Sequence, residues 1–128
     1  MNYYISTVVN DTFDSTIERV TEQLNAQGFG VLSDIDVEAT LERKLGAVFR
    51  DYRILGACNP PFAHRALQTE DKIGTMLPCN VVVQSLPGGR VEVAAVNPVV
   101  SMQGIDNPSL EEIAQEIRGR LQTVIQGL

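Results

Sequence analysis

Two cysteines, each followed by an asparagine, carry most of the chemistry available to this chain: Cys58-Asn59 and Cys79-Asn80. Cys58 ends a strand-like run, Tyr52 to Asn59, and precedes Asn59-Pro60-Pro61, the pattern of a helix cap followed by proline at the first helical position. The first turn of a helix holds unpaired N–H groups and the positive end of the dipole. A thiol placed there tends towards the thiolate and towards reactivity. Cys79 opens the next strand-like run. If the chain returns antiparallel, both sulfurs reach the same end of one sheet. Period-two alternation, from Ile54 to Cys58 and from Cys79 to Val81 and Val83, predicts that both face the apolar side. That pair offers a dithiol, a soft-metal site or a pocket for a sulfur compound. The plain alternative is that each cysteine packs as a small hydrophobe.

The neighbouring residues extend the set. His64 is the only histidine and sits about one turn into the helix begun at Pro60, placed to ligate a metal or carry a proton beside Cys58. Arg65 follows it and suits a carboxylate or phosphate at the helix start. The Asn59 and Asn80 amides serve a ligand or a turn equally well. The expected ligand site is therefore Cys58, Asn59, His64, Arg65, Cys79 and Asn80. Cys58, Cys79 and His64 are its metal candidates and Cys58 its candidate nucleophile. Met76 and Met102 offer thioethers to copper(I) or haem iron, or simply fill the core. Lys44, Arg53 and Lys72 read as a solvated rim.

Much is excluded. The chain has no Gly-rich phosphate loop with its lysine, no dinucleotide fingerprint, no paired zinc-type spacing and no nucleophile elbow. A single histidine rules out any mechanism that needs two imidazoles. The net charge of −6 lacks the clustered Lys and Arg that phosphate backbones and anionic membranes require. No apolar run approaches the ~20 residues of a membrane span. The first residues resemble no secretory signal, and two cysteines are too few for a disulfide scaffold, so the cytoplasm is the expected compartment.

The positioning elements follow from periodicity. Tyr3 to Val9 reads as a strand with Ile5, Thr7 and Val9 on one face. Asn10-Asp11-Thr12 caps a helix carrying Phe13, Ile17, Val20 and Leu24 on one stripe, with Gly28 beyond its end. Phe29 to Val37 predicts a strand with Val31, Ile35 and Val37 in phase. A short helix over 38–45 follows, on Leu41, Leu45 and Val48. The Asn59 helix runs towards Thr69 and buries Ala63, Ala66 and Leu67. Cys79–Ser85 and Val91–Asn97 flank a Pro-Gly-Gly turn and form an antiparallel hairpin. Asn107-Pro108 starts a long closing helix with Leu110, Ile113, Ile117, Leu121, Val124 and Ile125 on one side. Two long helices, each apolar on a single side, and a hairpin predict an α+β fold of two layers, with helices on one face of the sheet.

The string from Arg53 through Gly56-Ala57-Cys58-Asn59-Pro60-Pro61 to Leu67 resembles the signature of a bacterial and archaeal family known as domain of unknown function 302. Ile73-Gly74, Leu77-Pro78-Cys79-Asn80, Asp34-Ile35-Asp36-Val37 and Val96-Asn97-Pro98 are similar to it too. The resemblance implies a β-α-β4-α core of the TATA-binding-protein-like kind, with extra short helices between central strands and a homodimeric state. It brings no established activity, and this acidic chain lacks the namesake's basic DNA-binding saddle. Three functions are therefore expected in turn. The first is a dimeric binding or redox module, its pocket around Cys58 and Cys79 taking a soft metal, haem, or a small sulfur-containing or anionic ligand. The second is a structural or interaction dimer without ligand. The third is a thiol enzyme using Cys58, with His64 as proton carrier and Cys79 as resolving thiol. No cofactor is named by the residues, and no nucleic-acid or membrane partner is expected.

Overall fold

The computed structural model describes residues 1–128 as one antiparallel sheet covered on one face by helices. Its first strand, β1 (Tyr4–Val9), leads through a Thr12 cap into α1 (Phe13–Ala26). The Thr12 hydroxyl accepts the Ser15 N–H at 3.1 Å. Next come β2 (Gly30–Asp36), α2 (Val37–Leu45), β3 (Tyr52–Cys58) and α3 (Pro60–Thr69). A single 3-10 turn, Ile73–Met76, precedes the hairpin of β4 (Cys79–Leu86) and β5 (Arg90–Val96). Gly88 and Gly89 both take positive φ in its turn, which residues with a Cβ rarely adopt. A four-residue helix, α4 (Pro98–Ser101), and the long α5 (Pro108–Gln126) complete the chain. The sheet order is β1-β5-β4-β3-β2, so β1 and β2 are its edges. This is the α+β, β-α-β4-α arrangement anticipated from the sequence.

The core lies between the sheet and the α1/α5 layer. The six stripe residues of α5 are all buried, joined by Ala114. Burying each large aliphatic side chain contributes roughly 1.5–3 kcal/mol, so Leu121→Ala would cost about 2–5 kcal/mol. From the sheet, Val9, Leu55, Ala57, Cys79, Val81, Val83, Val91, Val93 and Ala95 meet this layer. The opposite face carries no helix layer. It presents Tyr4 and Val8 of β1, Val82 and Gln84 of β4, Glu92 and Ala94 of β5, and Tyr52 and Ile54 of β3.

Two phase expectations are corrected. In β3 both alternating sets are apolar, and the core takes Leu55 and Ala57 rather than Ile54, Gly56 and Cys58. In β2 a register shift between Val31 and Ser33 breaks the alternation. Val31 lies opposite Ala57 on the core side, whereas Ile35 lies opposite Ile54 on the open face. Val37 does not extend the strand; it starts α2, capped by the Asp36 carboxylate on the Ala39 N–H at 3.0 Å. The expected stripe of α2 is not buried either, since Leu45 and Val48 face solvent.

Candidate functional site

The strand-to-helix passage at Cys58-Asn59-Pro60 lies at one end of the sheet and forms part of a cavity of about 260 Å³. Ala57 and Cys79 form its floor, paired across β3 and β4. Ala63, Ala66 and Leu67 of α3 make one wall, at the i, i+3, i+4 spacing of a single helix face. Phe29, Leu77, Pro78, Met102 and the α5 residue Ile117 enclose the remainder, and Cys58 borders it. At the mouth Leu32 is 71% exposed and Leu67 45%, so the opening is ringed by apolar carbon as well. No charged side chain lines the cavity.

The two thiols differ. Cys79 is buried, 4% exposed, and burial, with Cys58 nearby, pushes its pKa up to about 11. It is a neutral thiol at physiological pH and a poor resolving nucleophile, because the thiolate is the reactive form. Cys58 is half-buried. Since Ala57 stands opposite Cys79, alternation turns Cys58 towards the other face. The expectation that both sulfurs share the apolar side is therefore corrected, and both cysteines are free thiols.

The helix start is also weaker as an anion site than its sequence suggests. Pro60 and Pro61 remove two of the first amide hydrogens, and the Ala63 N–H bonds the Asn59 carbonyl at 2.9 Å. The Asn59 side chain makes no cap. It is buried and donates Nδ2–H to the Gln27 carbonyl at 3.3 Å, tying the start of α3 to the turn after α1. Arg120 donates to the same carbonyl at 3.2 Å. Gly28, with φ +85°, fits beneath, and a Cβ there would lie 3.2 Å from Asn59 Nδ2.

Of the six expected site residues, Cys58, Asn59 and Cys79 line the cavity; the other three do not. His64 and Arg65 are exposed, because they follow Ala63 by one and two residues and so leave the face that Ala63, Ala66 and Leu67 share. The Arg65 guanidinium lies 5.6 Å from the Phe62 ring, which Arg120 also approaches at 5.1 Å. Asn80 alternates to the open face, in a groove of about 400 Å³ shared with Tyr4, Tyr52 and Val82. Cys58, Cys79 and His64 form no metal set, and no group of three or more His, Cys, Asp or Glu side chains is placed to hold an ion. Arg53 is taken up by Asp34 at 2.9 Å and Lys72 by Asp71 at 3.5 Å. Phe29, Leu32 and Leu77 were not foreseen in the wall; in the sequence they read only as further apolar residues.

No helix of the chain is long and apolar enough to cross a membrane. No curated protein matches the chain. Among solved structures, an uncharacterized conserved DUF302 protein from Bacillus stearothermophilus is similar, with a TM-score of 0.92 and 32% sequence identity. The likeness covers 99% of this chain and 98% of that one. The family model described as "Domain of unknown function DUF302" matches residues 5–128, and with that span the chain belongs to the DUF302 family.

Proposed function

We propose that this domain is a binding module whose cavity at the Cys58/Cys79 end of the sheet takes a small, uncharged, mainly apolar or sulfur-containing molecule. The observation that carries this is the lining: apolar side chains with Cys79 and Met102 among them, and no charged residue. A haem or a free anion fits poorly. The volume lies below the ~300–1,000 Å³ of pockets for drug-sized ligands, and His64 and Arg65 stand outside it. Native mass spectrometry of the protein purified without oxygen, followed by titration with a small thioether such as thioanisole, tests the proposal. A retained organic mass or saturable binding supports it; neither, with the cavity residues unperturbed, contradicts it.

Cys79 and Met102 in one lining, with Cys58 bordering it, favour a second reading, a soft monovalent metal such as copper(I). Binding would have to displace the Cys79 proton. Anaerobic copper(I) titration at two pH values distinguishes this reading, because metal binding at thiolates releases protons and neutral-ligand binding does not.

We further propose a homodimer formed through the open sheet face, on which Tyr4, Val8 and Ile35 are exposed. Tyr4 and Val8 lie on one edge strand and Ile35 on the other, so a second copy laid across the face would cover apolar surface at both edges. Sedimentation equilibrium with Val8→Lys as the control reads this directly. Two free thiols suit a reducing compartment, and we place the domain in the cytoplasm on that ground.

A further inference from the structure

The open sheet face is divided into two unlike halves by β4, the middle strand of five. On β4, Val82 lies between Ala94 of β5 and Ile54 of β3. Beyond these the same row ends in Ser6 on β1 and Ile35 on β2. The row is therefore small on one side of β4 and large on the other.

The next row is divided by charge. Gln84 of β4 lies between Glu92 of β5 and Tyr52 of β3. Its Nε2–H donates to Glu92 Oε1 at 2.9 Å, and its Oε1 accepts Arg50 Nε–H at 2.8 Å. The Arg50 guanidinium lies 5.5 Å from the Tyr52 ring, on the β3 side. Gln84 thus holds a carboxylate and a guanidinium on opposite sides of β4. Neither makes an ion pair within the chain.

We propose that two copies pack face to face about a two-fold axis lying along β4, with Arg50 of each meeting Glu92 of the other. The arrangement rests on the reading of this face as the homodimer surface, and it specifies which parts of the face meet. Rotation about an axis parallel to the strands exchanges the two halves of the face and keeps each residue's height along its strand. Each row then lies on itself reversed. Ala94 faces the partner's Ile54, Ser6 faces the partner's Ile35, and Val82 meets its own counterpart. Small against large across facing positions is how two layers interdigitate without voids. The β1 edge, where Tyr4 and Val8 are exposed, comes to lie over β2 with its exposed Ile35. In the charged row both unanswered ions are answered, twice by symmetry. Such pairs fix orientation and register more than they add affinity. A two-fold across the strands at the Val82 row would set Ile54 against Ile54 and Ala94 against Ala94. It would also keep Glu92 on the side away from the partner's Arg50.

Sedimentation equilibrium of the full chain at low salt tests the arrangement, with Arg50→Glu and Glu92→Arg measured separately and mixed. Each variant alone places like charges together twice and should self-associate at least about a hundredfold more weakly than wild type. The equimolar mixture should regain the dimer, since both cross-subunit contacts are then opposite in sign. If a charge variant misfolds, Ala94→Leu decides. It should weaken the dimer by crowding the partner's Ile54, and adding Ile54→Ala should restore it. A wild type that is monomeric, or a dimer indifferent to Val8→Lys, overturns the open-face reading and this arrangement with it. A dimer broken by Val8→Lys but unaffected by the single charge reversals, or a mixture no stronger than its components, overturns the arrangement alone. So does an Ala94→Leu dimer that Ile54→Ala fails to restore.

Discussion

Cys79 stands directly opposite Ala57 across β3 and β4, and so Cys58, one residue further on, is turned out of phase with it. This one-residue offset separates the two sulfurs by face although they share an end of the sheet. Cys79 becomes a buried, neutral thiol in a cavity floor, and Cys58 remains half-buried beside it. On the proposed function, a ligand in this cavity is held by shape and dispersion.

Cys79 should make the fold sensitive to alkali. Its folded pKa lies near 11, against 9.0 for the free thiol, so above pH 9 the unfolded chain loses a proton that the folded chain keeps. The unfolded state then binds fewer protons, and stability falls as pH rises from about 9 to 11, by up to about 2–3 kcal/mol. Urea denaturation across this range should show the decline in the wild type and a smaller one in Cys79→Ala. Parallel curves would contradict the burial of this thiol.

Alkylation should discriminate between the cysteines. Under native conditions iodoacetamide should modify Cys58 first, while Cys79 reacts only through opening of the fold. Peptide mapping after timed quenching reads the order. Equal rates at both positions would show that the Cys79 end of the sheet is open.

Gly56 is held to its size by its neighbours on the open face. A Cβ there would collide with Ser33 Oγ and come within 2.8 Å of Pro78 Cγ. Gly56→Ala should destabilise by about 1–3 kcal/mol, and adding Ser33→Gly should recover part of that loss. Thermal melts of the three variants measure both effects.

Asn59 should prove structural. Asn59→Ala removes the bond to the Gln27 carbonyl and should cost about 1–2 kcal/mol. Affinity for a cavity ligand, measured well below the melting temperature, should change little. A large loss of affinity with an unchanged melt would instead make Asn59 a ligand contact.

Where a single apolar phase existed, the architecture was legible in the residues. The α5 stripe follows from it, while residue types alone mark the β4–β5 turn at Gly88-Gly89 and the Thr12 cap. Where two phases competed, it was not. Ile54-Gly56-Cys58 and Leu55-Ala57 are equally plausible core sets, and only pairing with Val81 and Cys79 chooses the second. The Val31/Ser33 register shift has no local signature, so Ile35 was assigned to the wrong side. Asn59 and Asn97 both precede proline at a helix start. Yet Asn97 caps its helix, and Asn59 reaches across to Gln27. Local sequence does not contain the partner that makes that difference. For the site, the two Cys-Asn strings located the cavity, while the helical phase that removes His64 and Arg65 from it was readable from Ala63, Ala66 and Leu67.

The most direct test of the proposed function is an NMR titration with thioanisole on protein labelled at methionine and leucine methyl groups. The account predicts saturable shifts at Met102, Leu67 and Leu77, and their loss in Ala63→Leu, which fills the wall beside them. Shifts confined to the open sheet face, or persisting unchanged in Ala63→Leu, would contradict the assignment of the cavity as the binding site.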